Sequence, residues 1–265
     1  MGHHNIRFDG DPYALVGAWS PPTSRANFCE EDYVLTFYLT EFVNSVTNVA
    51  YVYYALCYMY GPGSRGLLAP RLDAMSIALL FLGIGSFLFH ATLRKTLEFA
   101  DEFSMLGLTW SMLHVTFSMQ TTPPRRRAAS AALAVGFVSF AVFYLRSPKI
   151  IYQVMAFVFT IVVLILRTNY LLHWSRPAFA PARRRDWVVR TWKAIGLSVL
   201  AYVLWNIDLE FCAELRRIRQ RVGLPWAWLF ELHGWWHVLT AMGTSRFMDV
   251  AREMRREDRA QRKRA

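Results

Sequence analysis

The first 33 residues lack the apolar h-region that a cleavable signal peptide requires, so none is expected. HExxH occurs nowhere, which argues against the helical metal site of a peptide-cleaving zincin. No EF-hand loop is present, so spacing alone offers no regular calcium signature. No soluble catalytic domain stands out between the apolar segments. Acidic residues are few, 19 against 30 lysines and arginines, for a formal charge of +11. Cysteine is nearly absent, at Cys29, Cys57 and Cys212 only.

What is abundant is apolar. Hydrophobic residues make up 54% of the 265 and mean hydropathy is +0.20, too apolar for an ordinary soluble domain of this length. A helical span needs about 20 mostly apolar residues. Seven segments qualify, roughly 34–60, 73–91, 101–120, 128–145, 150–173, 190–211 and 226–247. Arg146, Ser147, Pro148 and Lys149 alone separate the fourth from the fifth, which predicts a tight helical hairpin. The expected fold is all-α, a seven-transmembrane helix bundle over 34–248 with an N-terminal segment, 1–33, and a basic tail, 249–265.

The positive charge is distributed as topology, not as a nucleic-acid surface. Arg125 to Arg127, Arg183 to Arg185, and the tail from Arg252 to Arg264 all fall on the C-terminal side of a seven-span chain. The positive-inside rule then predicts a cytosolic C-terminus and a luminal N-terminus. Arg216, Arg217, Arg219 and Arg221 lie on the opposite side and weaken the bias without reversing it. Contact with the lipid bilayer and its anionic headgroups accounts for the charge, and no nucleic-acid partner is expected. His3 and His4 read as a frayed terminus rather than as ligands.

Ionisable groups inside apolar spans are costly and point to function. In GIGSFLFHATLRKTLEFAD, residues 83–101, Ser86 and His90 are four apart and share a helix face. Asp101 opens the following span. In LHGWWHVL, His233 and His237 have the spacing by which one helix offers two imidazoles to one metal. With a luminal N-terminus, His90 ends its span in the same leaflet where Asp101, His233 and His237 begin theirs. This constellation predicts a zinc site. His114 and His173 lack partners at ligand spacing and read as structural. Asn44, Ser45, Thr47 and Asn48 read as hydrogen-bonding groups between helices, and Asp208 either as support for the metal region or as a structural hydrogen bond.

Cys29 and Cys212 fall on the luminal side, where a disulfide is permitted; two unpaired thiols are the alternative. Cys57 reads as apolar packing. The acidic run Cys29-Glu30-Glu31-Asp32-Tyr33, followed by Glu41, crowds carboxylates beside a membrane. A hard cation such as calcium would relieve them, although spacing alone favours a solvated acidic turn capping span one.

Taken in order, CEEDY, GIGSFLFHATL with ADEFSML, LWNIDLEFC and GLPWAWLFELHGWWH resemble the alkaline ceramidases. That family lies in a wider superfamily of seven-span hydrolases that includes adiponectin-receptor-like proteins. The likeness runs from about Asn27 to Thr240. It implies zinc on His90, His233 and His237, with Ser86 and Asp101 as catalytic partners. It also implies a Cys29–Cys212 disulfide, and a calcium site at Asn27, the Phe28 carbonyl, Glu30, Asp32 and Glu41. Asn27 stands where the family commonly has Asp, and Asp32 where it has Asn, exchanges that cancel in charge. Phe28 replaces the usual Trp, which a backbone ligand tolerates.

The implied activity is hydrolysis of ceramide, or of dihydro- or phytoceramide, to a sphingoid base and a fatty acid, with Trp236 as a substrate contact. The implied setting is the endoplasmic reticulum or Golgi membrane, with the active site towards the lumen and no obligate protein partner. An adiponectin-receptor-like receptor sharing the zinc site is the alternative, and a cytosolic N-terminus would favour it. A lipid transporter or channel using the histidines for protons would need no zinc.

Overall fold

The structure, a computed structural model, describes residues 13–264; His3 and His4 lie outside them. Among the described residues every regular element is helical. In chain order these are α1 (Phe42–Thr47), α2 (Val49–Tyr60), α3 (Ala74–Thr92), α4 (Lys95–Phe117) and α5 (Pro123–Arg146). Then come α6 (Ile150–His173), α7 (Pro181–Glu210), α8 (Cys212–Val222), a short 3-10 helix over Trp226–Phe230, and α9 (Leu232–Arg264). By length and composition, α3, α5, α6 and α7 can each cross a membrane. The expected hairpin is α5–α6. Helices α4 and α9 cover the third and seventh expected spans, but Lys95, Glu98, Asp101 and Glu102 in one, and the basic tail in the other, dilute their hydropathy. The tail simply continues α9.

The first expected span differs most. Its residues 34–41 are not helical, and the rest is divided into α1 and α2 at Asn48. Ser45 Oγ donates to the Glu41 carbonyl, Thr47 Oγ1 to that of Val43 and Asn48 Nδ2 to that of Asn44, at 2.5, 2.8 and 2.8 Å. Such back-bonding competes with the helical ladder and bends it.

The chain forms two compact units, Met1–Ser104 with Gly196–Gly243, and Met105–Ile195 with Thr244–Ala265. In the first, α3 packs on α1 and α2. Gly83 marks the close approach: a Cβ there would meet Val52 Cγ2 at 2.8 Å and Val52 N at 3.0 Å, the small-residue contact that lets membrane helices come together. Helix α3 begins with a capping box, the Asp73 carboxylate accepting from Ser76 N at 2.7 Å. At its other end the carbonyls have no helical partner, and the N-terminal segment supplies one. Thr40 N donates to the Ala91 carbonyl at 3.0 Å, Glu41 N to that of His90 at 3.1 Å, and Thr23 N and Ser24 N to that of Leu93. Further along, Cys29 is disulfide-bonded to Cys212, Cα–Cα 5.3 Å, within an apolar cluster of Leu215, Phe230 and Leu232. The N-terminal segment is therefore pinned at both the α3 end and the start of α8.

In the second unit Glu253 accepts from Trp187 Nε1 at 2.8 Å and from Arg190 Nη1 at 2.9 Å. The Arg167 guanidinium donates to the Thr116 and Met119 carbonyls at 3.3 and 2.9 Å, a cationic cap on the end of α4.

Candidate active site

His90 lies in the last turn of α3, and His233 and His237 lie in the first two turns of α9. Their ligand-capable nitrogens are all within 4.8 Å of one another, and all three residues are buried. Among the described residues no other group of three or more His, Cys, Asp or Glu side chains converges in this way. A tetrahedral zinc with bonds of about 2.0–2.1 Å places its nitrogens about 3.4 Å apart. A modest contraction of this cluster meets that demand, so the residues fit zinc.

Two of the imidazoles are held from behind. His90 Nδ1 sits 2.5 Å from Glu41 Oε2, with both side chains almost wholly buried. His237 Nδ1 lies 3.0 Å from Thr47 Oγ1. Each contact engages Nδ1 and leaves Nε2 for a ligand, the orientation that metal-bound histidines require. The Phe28 ring covers the cluster, 3.9 Å from the His233 ring and 5.0 Å from that of His90. Asp208, fully buried, accepts from His233 N at 3.3 Å and from Cys29 N at 3.4 Å. It thus ties α9 to the disulfide segment. Gly234 permits the same closeness, since a Cβ there would stand 3.1 Å from Val43 and 3.2 Å from Thr47.

Ser86 is buried one turn before His90 on α3 and hydrogen-bonds to Asp101. Trp236 packs against Trp205 with the rings tilted and their centroids 5.8 Å apart, and Trp235 Nε1 donates to the Leu229 carbonyl.

The acidic segment is buried rather than solvated: Glu30, Asp32 and Glu41 are 6%, 1% and 0% exposed. Their oxygens do not all face one point. The Glu30 carboxylate accepts from Val43 N and Asn44 N at 2.6 and 2.8 Å. Asn27 Oδ1 accepts from Phe28 N at 2.9 Å, and Glu41 is turned to His90. Burial, followed by repulsion from Glu41, pushes the Glu30 carboxyl up to about 8. Buried carboxylates this close call for a cation. Arg219 meets part of the demand, pairing with Glu31 at 2.8 Å and Glu231 at 3.1 Å.

Sequence reasoning put Glu41 in the calcium set and did not foresee its contact with His90. The signal for it was an acid at the opening of span one, in the same leaflet as the histidines. Thr47, read as an interhelical hydrogen bonder, bonds across to His237.

Similarity to known proteins points the same way. The chain is 29% identical to alkaline ceramidase 3 of Mus musculus over 232 residues, covering 86% of this chain and 82% of that protein. It is 26% identical to alkaline ceramidase YPC1 of Saccharomyces cerevisiae over 253 residues, 90% and 78% of the two chains. An alkaline ceramidase of Arabidopsis thaliana is 24% identical over 233 residues, 85% and 82%. The model of the Ceramidase family matches residues 20–265, and the chain therefore belongs to the ceramidase family of enzymes.

Proposed function

We propose that this protein is a seven-span intramembrane amidase that hydrolyses ceramide, or a dihydro- or phytoceramide, to a sphingoid base and a fatty acid. The observation that carries the reading is the convergence of His90, His233 and His237 with two imidazoles oriented from behind. A two-chained substrate reaches such a site sideways from the bilayer, with its polar head near the luminal surface. Zinc held by the three histidines would supply Lewis-acid polarisation of the amide carbonyl and a water of pKa about 7.

The chain's own groups supply the rest. Asp101, beside Ser86, accepts the proton of the attacking water as its oxygen bonds to the carbonyl carbon. It returns that proton to the nitrogen as the C–N bond breaks, so acid and amine leave balanced. Once Asp101 holds that proton it can donate to Ser86 Oγ in turn, which frees the Ser86 hydroxyl hydrogen to donate to the developing oxyanion. Glu41 and Thr47 hold His90 and His237 in register, and Trp236 is the candidate substrate contact. In this reading calcium is structural, held by Asn27, the Phe28 carbonyl, Glu30, Asp32 and Glu41. Binding it requires Glu30 and Asn27 to turn from their present backbone donors. The charge distribution supports a luminal N-terminus and active site with a cytosolic tail, and only the resemblance to the alkaline ceramidases suggests the endoplasmic reticulum or Golgi membrane.

The test is hydrolysis of a ceramide panel by detergent-purified protein, with metal content measured on the same sample. Release of a sphingoid base with about one zinc per chain, both lost in His90→Ala, is expected. Zinc without amide hydrolysis across the panel would favour the adiponectin-receptor-like reading, and an absence of zinc would refute the metal centre.

A further inference from the structure

The second unit holds a cavity of about 470 Å³ that has no part in this chemistry. Its walls come from three helices at regular spacing. His114 and Ser118 are four apart at the end of α4, Arg126 and Arg127 sit in the opening turns of α5, and Arg255, Arg259 and Arg262 recur along one face of α9. Five guanidiniums thus line one concavity, against a single carboxylate, Asp258. That acid is already engaged: Oδ2 pairs with Arg262 Nε at 3.0 Å, and Oδ1 accepts from Gln120 N at 3.0 Å. Arg126, Arg127 and Arg259 bring three further guanidiniums to the same lining.

Arg126, Arg127, Arg259 and Arg262 are open to solvent and Arg255 is half-buried, yet all five line one concavity instead of being spread over a convex face. Guanidinium forks match phosphate oxygens two at a time, and a phosphate monoester carries about −1.5 to −2 charges at pH 7. The volume lies in the range of small-ligand sites. Under the topology proposed above, the cavity opens at the cytosolic surface, where basic pockets between membrane helices take phosphorylated headgroups. We propose that this cavity binds a ligand bearing phosphate monoesters, either the headgroup of an anionic lipid or a soluble phosphate ester of the same kind.

The full chain in phosphatidylcholine nanodiscs tests this, with phosphatidylinositol 4,5-bisphosphate and soluble inositol 1,4,5-trisphosphate as probes. Wild-type protein should bind one or both more tightly than it binds phosphatidylserine. Arg126→Gln with Arg259→Gln should weaken binding about tenfold or more, with an unchanged melting midpoint. Arg125→Gln with Arg256→Gln removes an equal charge from neighbouring positions, which do not line the cavity, and should change binding less than about twofold. Tight binding of the lipid with weak binding of the soluble probe identifies a headgroup site. Equal affinities identify a soluble ester. Equal losses from Arg125→Gln with Arg256→Gln, or no preference over phosphatidylserine, would overturn the proposal, since a diffuse field would then explain all attraction.

Discussion

Replacing Glu41 by Gln separates orientation of a metal ligand from every other role of that side chain. Gln keeps the volume and an acceptor oxygen but removes the charge that faces His90 Nδ1 at 2.5 Å. Partners of metal-bound histidines are generally worth about 10–100-fold in metal affinity, or about 1.4–2.7 kcal/mol. The upper half of that range is expected here, because both side chains are almost wholly buried and water cannot replace the lost partner. Glu41→Ala would be a poorer probe. It would strand His90 Nδ1 together with the Phe28 N and Asn44 Nδ2 donors that Glu41 now accepts, at about 1–3 kcal/mol for each buried group. The assay is zinc retention against a graded chelator, with calcium measured on the same protein. Thr47→Val serves as the comparison, losing one neutral bond at 3.0 Å to His237, and should cost only severalfold. Zinc affinity of Glu41→Gln within about twofold of wild type would refute the argument, because charge assistance would then contribute less than about 0.5 kcal/mol.

Asp101→Asn should lower kcat about 100-fold or more with zinc content retained; unchanged turnover would remove Asp101 from proton transfer. For the Cys29–Cys212 bridge, a separation of 183 residues gives about 5 kcal/mol by chain entropy. Helices that persist in the unfolded state reduce this, so Cys29→Ser should cost about 2–4 kcal/mol. The readout is the melting midpoint in detergent, and an unchanged midpoint would contradict the expectation. Glu30, raised to about 8 by burial and Glu41, holds its proton in the folded state where an unfolded carboxyl has lost it. In chelator, stability should therefore fall as pH rises from about 5 to 8. Glu30→Gln should flatten the slope, and a slope unchanged in that variant would exclude Glu30 as its source. Gly83→Leu should destabilise by about 1–3 kcal/mol, because its Cβ would stand only 2.8 Å from Val52 Cγ2 and 3.0 Å from Val52 N; wild-type stability would show that α2 yields freely.

Apolar segmentation and histidine spacing are local properties, so they were legible along the chain. Runs of apolar residues bounded by basic loops marked out α3, α5, α6 and α7, since the bilayer sets a length that any sequence can be measured against. The spacing of four in HGWWH put two imidazoles on one face of α9 because helical period alone dictates it. The acidic segment was legible as composition but not as environment. A solvated turn and a buried one read alike until Cys29 and Thr40 dock it onto α8 and α3. The basic residues that ran against the charge rule also find their reason only in space, where Arg219 lies buried between Glu31 and Glu231.

By itself, then, the sequence determined the helical character, the apolar segments and the identity of the metal-capable side chains, all consequences of period and composition. Tertiary structure decided which groups meet across long separations. It brought Glu41 to His90 and Thr47 to His237, 49 and 190 positions apart. It also gathered five arginines from two helices around one cavity. Such contacts depend on where a helix end leaves carbonyls for another segment to satisfy, and no local pattern in either partner records it.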